Sequence, residues 1–186
     1  MVSCFKGKFK VTSPRGYRTI SGKNEYHGGL DLVAMGNDKG VYAIADGVID
    51  ATPYEKDGFG YYVRQLLDDG KRVYYGHMAK GSIVVKSGAK IKKGEKLGTM
   101  GSSGLSTGAH THIELRVKGT SKTSLDICAF TGIPNKCGVY GDDEVTLEEM
   151  EAFIKGKCSF EDNTMKYLKD YKYSKSLFEK LYSAMK

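Results

Sequence analysis

Between Phe9 and about Val117, apolar residues fall in short runs, some alternating with polar residues and some continuous, with glycines between them. Leu30–Val33, Val41–Ala45, Gly47–Ile49, Tyr61–Leu66, Arg72–Tyr75 and His112–Val117 are such runs, and β-branched and aromatic residues dominate them. That texture predicts an antiparallel all-β region. Asp46-Gly47, Asp57-Gly58 and Asp69-Gly70 mark turns between runs. Asp69-Gly70 predicts a hairpin with a type I′ turn, in which both central residues take positive φ.

After about Tyr140 glycine thins out, Lys and Glu rise, and apolar residues recur at helical spacing. Three short helices are predicted. The first starts at Thr146, with Glu149 completing a capping box and Leu147, Met150 and Phe153 on one face. The second starts near Ser159, with Asp162 three residues on, and presents Phe160, Tyr167, Leu168 and Tyr171. The third follows Ser174 and turns Leu177, Phe178, Leu181 and Met185 inward. Gly156 and the stretch Tyr171 to Ser174 are read as the breaks. The expected organisation is a mainly β, compact antiparallel β-sheet domain over residues 1–140 and a small C-terminal α-helical module over 141–186. Asp142-Asp143-Glu144 reads as a solvated linker and helix start, because the spaced oxygen ligands of a calcium loop are missing.

Composition sharpens this reading only in places. With 24 Gly, 3 Pro and no Trp, the chain favours tight turns between short strands. Its 40% hydrophobic and 27% charged residues exclude a wholly disordered or collagen-like chain. No apolar run approaches the ~20 residues that cross a bilayer, so no membrane insertion is expected. Met1 to Lys10 alternates charge with Phe and Val and lacks the apolar core of a signal peptide. Cys4, Cys128, Cys137 and Cys158 match no zinc ribbon or redox pair; free structural thiols are expected, with a Cys128–Cys137 bridge as the alternative.

Chemistry concentrates in the four histidines, His27, His77, His110 and His112. His110 and His112 are two apart in a strand-like run and so project to one face. His27 and Asp31 lie four apart around Gly28-Gly29, which again places them on one face if the chain is extended. His77 ends a strand-like run, with Gly76 before it to let the backbone turn toward a cleft. A hydrolytic zinc site takes three ligands from His, Asp or Glu and keeps one position open. Five suitable residues are present, three to serve as ligands and two to act on protons and a developing oxyanion. A lone histidine in a β domain is usually a surface or satisfied core residue. The joint occurrence of all four in strand context, with none left over, shifts the balance toward a site.

Tyr26-His27-Gly28-Gly29-Leu30-Asp31-Leu32, Tyr75-Gly76-His77-Met78 and the run from Gly101 to Glu114 closely resemble the three motifs of the lysostaphin-type, or LytM-like, zinc metallopeptidases. The resemblance covers roughly Phe9 to Gly132 and implies a compact antiparallel β fold with the metal at the floor of a groove. It implies His27, Asp31 and His112 as zinc ligands and His77 and His110 as catalytic histidines; His110 is the better candidate for the general base and His77 for the oxyanion, with the division between the two left open. The implied substrate is the peptide part of bacterial peptidoglycan. Thr111 stands where family members often carry Leu, and Met78 where Leu is frequent; neither position supplies a ligand. The helical tail lies outside the resemblance.

Glu114, two residues beyond His112, reads equally as a carboxylate that orients an imidazole or as a surface carboxylate. The Gly- and Ser-rich loop from Gly98 to Gly108 lacks the Gly-Lys-Ser/Thr ending of a nucleotide loop and reads better as a groove wall. The net charge of +7, including Lys90, Lys92, Lys93 and Lys96, comes without a recognition helix or aromatic basic platform, so no nucleic acid is expected; attraction to polyanionic cell walls is the more economical use. The expected place of action is the bacterial cell wall, reached by phage-encoded release, on a virion, or by secretion with the signal removed. The alternatives are a metal-free wall-binding or regulatory module, or a virion structural component. Oligomeric state is not legible.

Overall fold

The computed structural model describes residues 1–20, 22–117, 124–141, 147–170 and 174–185. It separates into two compact units, Met1–Asp143 and Glu144–Lys186. The first opens with β1 (Phe9–Ser13), β2 (Gly16–Ile20), β3 (Lys23–His27), β4 (Leu30–Ala34), β5 (Gly40–Tyr42) and β6 (Gly47–Ala51). It continues with β7 (Tyr54–Glu55), β8 (Gly60–Leu66), β9 (Lys71–Met78), β10 (Lys90–Ile91), β11 (Lys96–Thr99) and β12 (Thr111–Val117). β13 (Ser124–Leu125), a short α1 (Ile127–Thr131) and β14 (Gly138–Tyr140) complete it. The mainly β expectation holds, with α1 as an addition.

A large antiparallel sheet runs in the order β10-β6-β8-β9-β12-β4-β1-β14, while β2 pairs with β3 and β5 with β11. Alternation sorts each central strand into two chemistries. Leu30 and Leu32, Val73 and Tyr75, Val63 and Gln65, and Ile113 and Leu115 are all buried on the core side. Asp31, Tyr74, Tyr62, Arg64, His112, Glu114 and Arg116 occupy the alternate positions. One polar chain crosses the core and is fully paired: Ile44 N–H donates to the Tyr75 hydroxyl (3.0 Å), that hydroxyl to Gln65 Oε1 (2.8 Å), and Gln65 Nε2 to the Ala45 carbonyl (2.7 Å). This ties the segment after β5 to the sheet.

The β8–β9 hairpin forms, but not with a type I′ turn. Leu67 N–H donates to Lys71 O and Gly70 N–H to Leu67 O, so three residues form the loop, and of these only Gly70 has positive φ, at 82°. Asp69 escapes the left-handed region because its carboxylate accepts the Lys71 N–H (3.0 Å) from an ordinary conformation.

The second unit contains α2 (Leu147–Cys158), α3 (Asp162–Asp170) and α4 (Ser174–Met185). The capping residue expected at Thr146, the acidic cluster at 142–144 and Tyr171 and Tyr173 lie outside the described residues. Gly156 does not end the first helix; α2 passes through it to Cys158. The stop is Ser159, at φ 52°, after which Phe160 N–H reaches back to Lys155 O (3.3 Å). α3 therefore starts at Asp162 rather than near Ser159. Met165 is its buried residue, and Leu168, with Phe160 ahead of the helix, packs against the same core as expected, whereas Tyr167 is 75% exposed. Met150, Ile154, Met165 and Phe178 form the core of this unit. All four cysteines are free thiols, so the Cys128–Cys137 bridge does not form. Among the described residues no helix is long and apolar enough to cross a membrane.

Candidate metal centre and active site

β12 pairs with β4 so that His112 lies directly opposite Asp31. His27 arrives differently from expectation: it ends β3, in the two-stranded β2–β3 sheet, and not the same strand as Asp31. Gly28 and Gly29 make the approach possible. A Cβ on Gly28 would strike the Glu114 carboxylate, and one on Gly29 would strike the Ile113 carbonyl and the His112 ring. Close approach to β12, more than conformational freedom, requires glycine here.

The result is a triangle of donor atoms. His27 Nε2 is 3.1 Å from Asp31 Oδ1 and 3.0 Å from His112 Nδ1, and His112 Nδ1 is 2.9 Å from the same Asp31 oxygen. All three side chains are buried. The protons of the two imidazoles are assigned by their other nitrogens. His27 Nδ1 lies 2.8 Å from the Pro14 carbonyl, which can only accept, and His112 Nε2 lies 3.2 Å from Glu114 Oε2. Two nitrogen lone pairs and a carboxylate oxygen thus converge, which a cation resolves. Tetrahedral coordination at 2.0–2.1 Å separates ligand atoms by about 3.3 Å, close to the edges seen here.

Glu114 is buried and is not a surface carboxylate. Burial alone would raise its pKa, but hydrogen bonds with His112 and Arg116 outweigh it and hold the carboxyl at about 2. Arg116 Nε donates to Oε1 (2.7 Å) and Nη2 to Oε2 (3.0 Å), fixing the carboxylate that orients His112. Replacing Glu114 by Gln is expected to weaken metal affinity about 10–100-fold without unfolding the chain; competition titration against a chromogenic chelator measures this, and unchanged affinity would assign Glu114 no part in the centre.

His77 and His110 stand beside the triangle, their ring centroids 4.6 Å apart. His77, not Gly76, takes the positive φ, at 60°, where β9 bulges against β8. Such strain costs about 1–3 kcal/mol and persists only where surrounding contacts impose it. His77 N–H donates to the Phe59 carbonyl (2.7 Å), and its ring Nδ1 donates to the Ser103 carbonyl (2.8 Å). His110, just before β12, donates from Nδ1 to the Gly108 carbonyl (2.8 Å) and brings Nε2 to 3.6 Å from Asp31 Oδ1. Both rings thus keep Nε2 as the available nitrogen. Burial, followed by repulsion from the neighbouring imidazoles, pulls His77 down to about 4, so it rests neutral.

A groove of about 850 Å³ holds all five residues and is walled by Leu105, Ser106 and Thr107 of the Gly- and Ser-rich loop.

A family model for Peptidase family M23 matches residues 25–124. The chain belongs to peptidase family M23. Within this M23 region lie all five residues just described. The catalytic domain of a prophage-encoded M23 protein of Enterococcus faecalis, solved as a variant, is 32% identical with a TM-score of 0.58, covering 67% of this chain and 92% of that one. The catalytic domain of the antimicrobial peptidase lysostaphin from Staphylococcus simulans is 30% identical with a TM-score of 0.57, covering 66% and 91%. A peptidoglycan DD-endopeptidase of Vibrio cholerae is 32% identical over 110 residues, 59% of this chain and 24% of that one. The chain spans about a quarter of the length of such curated relatives.

Three contributors to the M23 site escaped the sequence reading. Arg116 shares the strand face of His112 and Glu114, so parity alone would have found it. Ser103 orients His77 through its carbonyl, while its hydroxyl donates to Met78 O (2.6 Å) and accepts from Tyr61 N–H (2.9 Å). Arg18, on β2, donates to Ser13 Oγ (2.7 Å) and reaches Asp31 Oδ2 at 3.3 Å, holding the carboxylate so that Oδ1 faces the histidines. Nothing local to Arg18 signals that role.

Proposed function

We propose that the chain is a zinc-dependent endopeptidase that hydrolyses peptide bonds in bacterial peptidoglycan, with His27, Asp31 and His112 as the metal ligands and His77 and His110 as catalytic residues. The observation that carries this reading is the convergence of two imidazole lone pairs and one carboxylate oxygen beside two further imidazoles whose Nε2 atoms are available. The M23 membership and the peptidoglycan endopeptidases among the relatives support the substrate class. The β unit is taken as the catalytic domain and the helical unit as a separate module for wall targeting or packing.

Zinc, when bound, supplies Lewis acidity, making water nucleophilic near neutral pH and polarising a carbonyl. The chain's own residues manage protons and position. His110 takes the water's proton at Nε2, because its Nδ1 is anchored on Gly108 O. His77 faces the developing oxyanion. With Nδ1–H already given to Ser103 O, it donates from Nε2 only as an imidazolium, so it takes its second proton from solvent in the open groove as negative charge grows beside it. The Leu105–Thr107 wall bounds the groove in which the peptide lies.

The test uses purified peptidoglycan and follows new amino termini, with mass spectrometry of the fragments. Cleavage that a chelator abolishes and added zinc restores is expected. Cleavage that survives both chelation and His110→Ala would sink the reading.

A further inference from the structure

Beyond the histidines, the groove wall carries two arginines with spare hydrogen-bonding capacity. Strand alternation puts Arg64 of β8 and Arg72 of β9 on the groove face, and both line the cavity that contains the histidine cluster. Both Nε atoms lie close to Asp50 Oδ2, at 2.5 Å from Arg64, which donates to it, and at 2.9 Å from Arg72, whose Nε–H is not aligned for a hydrogen bond. Two guanidinium groups share one carboxylate oxygen. Their terminal amino groups have no protein partner among the described residues.

The remaining charged groups on this wall are already engaged. Arg116 is committed to Glu114 and packs over the Phe59 and Tyr74 rings. Glu55 accepts the Tyr62 hydroxyl (2.8 Å). The Arg64 and Arg72 side chains are only 27% and 15% exposed, so their free donors face the groove more than bulk water. A guanidinium in such a place is best satisfied by a planar, two-oxygen anion.

We propose that Arg64 and Arg72 form a specificity subsite that binds a carboxylate of the substrate peptide, so that the enzyme prefers acidic over amidated peptides. The proposal rests on the peptidase reading above and deepens it. Its position follows from the strand. Gly76 lies beside His112, and Arg72 is four residues back along β9, about 13 Å away at ~3.3 Å per residue. An extended peptide spans that distance in about four residues. The carboxylate is therefore placed several residues from the cleaved bond, with Tyr62, Tyr74 and Phe59 lining the groove between. It belongs either to an acidic side chain or to the peptide's C-terminus, and both offer the same two oxygens.

The experiment measures calorimetric binding of soluble muropeptides, released from peptidoglycan by a muramidase, to zinc-loaded His110→Ala protein. One batch is native and the other has its carboxylates converted to amides with carbodiimide and ammonia. Native fragments are expected to bind about tenfold more tightly, the scale of a hydrogen-bonded charged group. Adding Arg64→Gln and Arg72→Gln should remove that preference. Arg64→Lys with Arg72→Lys, which keeps the charges facing Asp50, should cut it to below about threefold, because the fork is lost. Synthetic stem peptides amidated only at the C-terminus or only at the side chain then identify the carboxylate. Equal affinity for native and amidated fragments, absence of binding by native fragments, or a preference that persists in both double variants would overturn the subsite. Failure of the wild-type protein to cut peptidoglycan, with the binding preference intact, would instead overturn the peptidase reading alone.

Discussion

Substituting His112 or Asp31 by Ala is expected to abolish stoichiometric zinc binding and to reduce peptidoglycan cleavage to background. Each residue supplies one corner of a triangle whose edges are about 3 Å. Losing a corner leaves two donors, too few to hold the ion against solvent while keeping it Lewis-acidic. Stability should respond in the same direction. Zinc binds only the folded arrangement, so at 100 times its dissociation constant it adds about 2.7 kcal/mol to the wild type and close to nothing to the variants. Metal analysis after gel filtration and thermal unfolding with and without zinc measure both effects. A His112→Ala protein that retains about one zinc per chain would refute the ligand assignment, whatever its activity.

His110→Ala and His77→Ala should each lower kcat/KM by about 10²–10⁴-fold while zinc stays bound, the usual range for removing a general acid or base. Neither ring belongs to the donor triangle, which is why the metal should remain. The two variants should differ in kind. Without His110 the proton acceptor at Nε2 is gone, so the loss should be greatest near neutral pH and shrink as hydroxide rises. Without His77 the loss falls on the oxyanion and should grow toward acid pH, where the imidazolium that donates from Nε2 forms. Parallel pH–rate profiles of the two variants check this; identical profiles would mean that the rings do not divide the work as proposed. Alanine keeps a Cβ at φ 60°, so the backbone strain stays in His77→Ala, and zinc content together with thermal unfolding separates lost activity from lost structure.

The His110-Thr111-His112 pairing was legible because parity along a strand is a local rule, and the same rule reached Glu114. Apart from the motif resemblance, the convergence of His27 and Asp31 was legible as a spacing, and for the wrong reason. The extended-chain reading put them on one strand, whereas they meet across the end of the β2–β3 pair, pressed together by glycines that cannot carry a Cβ against β12. The turn at Asp69-Gly70 failed where a side-chain hydrogen bond to Lys71 N–H gave aspartate an unstrained alternative. The helix break at Gly156 failed because propensity is weak beside the packing of Met150 and Ile154, which carries α2 on to Cys158.

By itself the amino-acid order determined what is periodic or contiguous: a β-rich first part, a helical tail, and the residue types able to hold a metal and move a proton. Those follow from alternation and spacing, which act within a few residues. Tertiary structure decided which nitrogen of each imidazole faces the centre, that Arg18 steadies Asp31, that Ser103 aims His77, and that Arg64 and Arg72 share one aspartate. Each of these depends on groups brought together from separate strands, and hydrogen-bond geometry between them exists only once the sheet has closed.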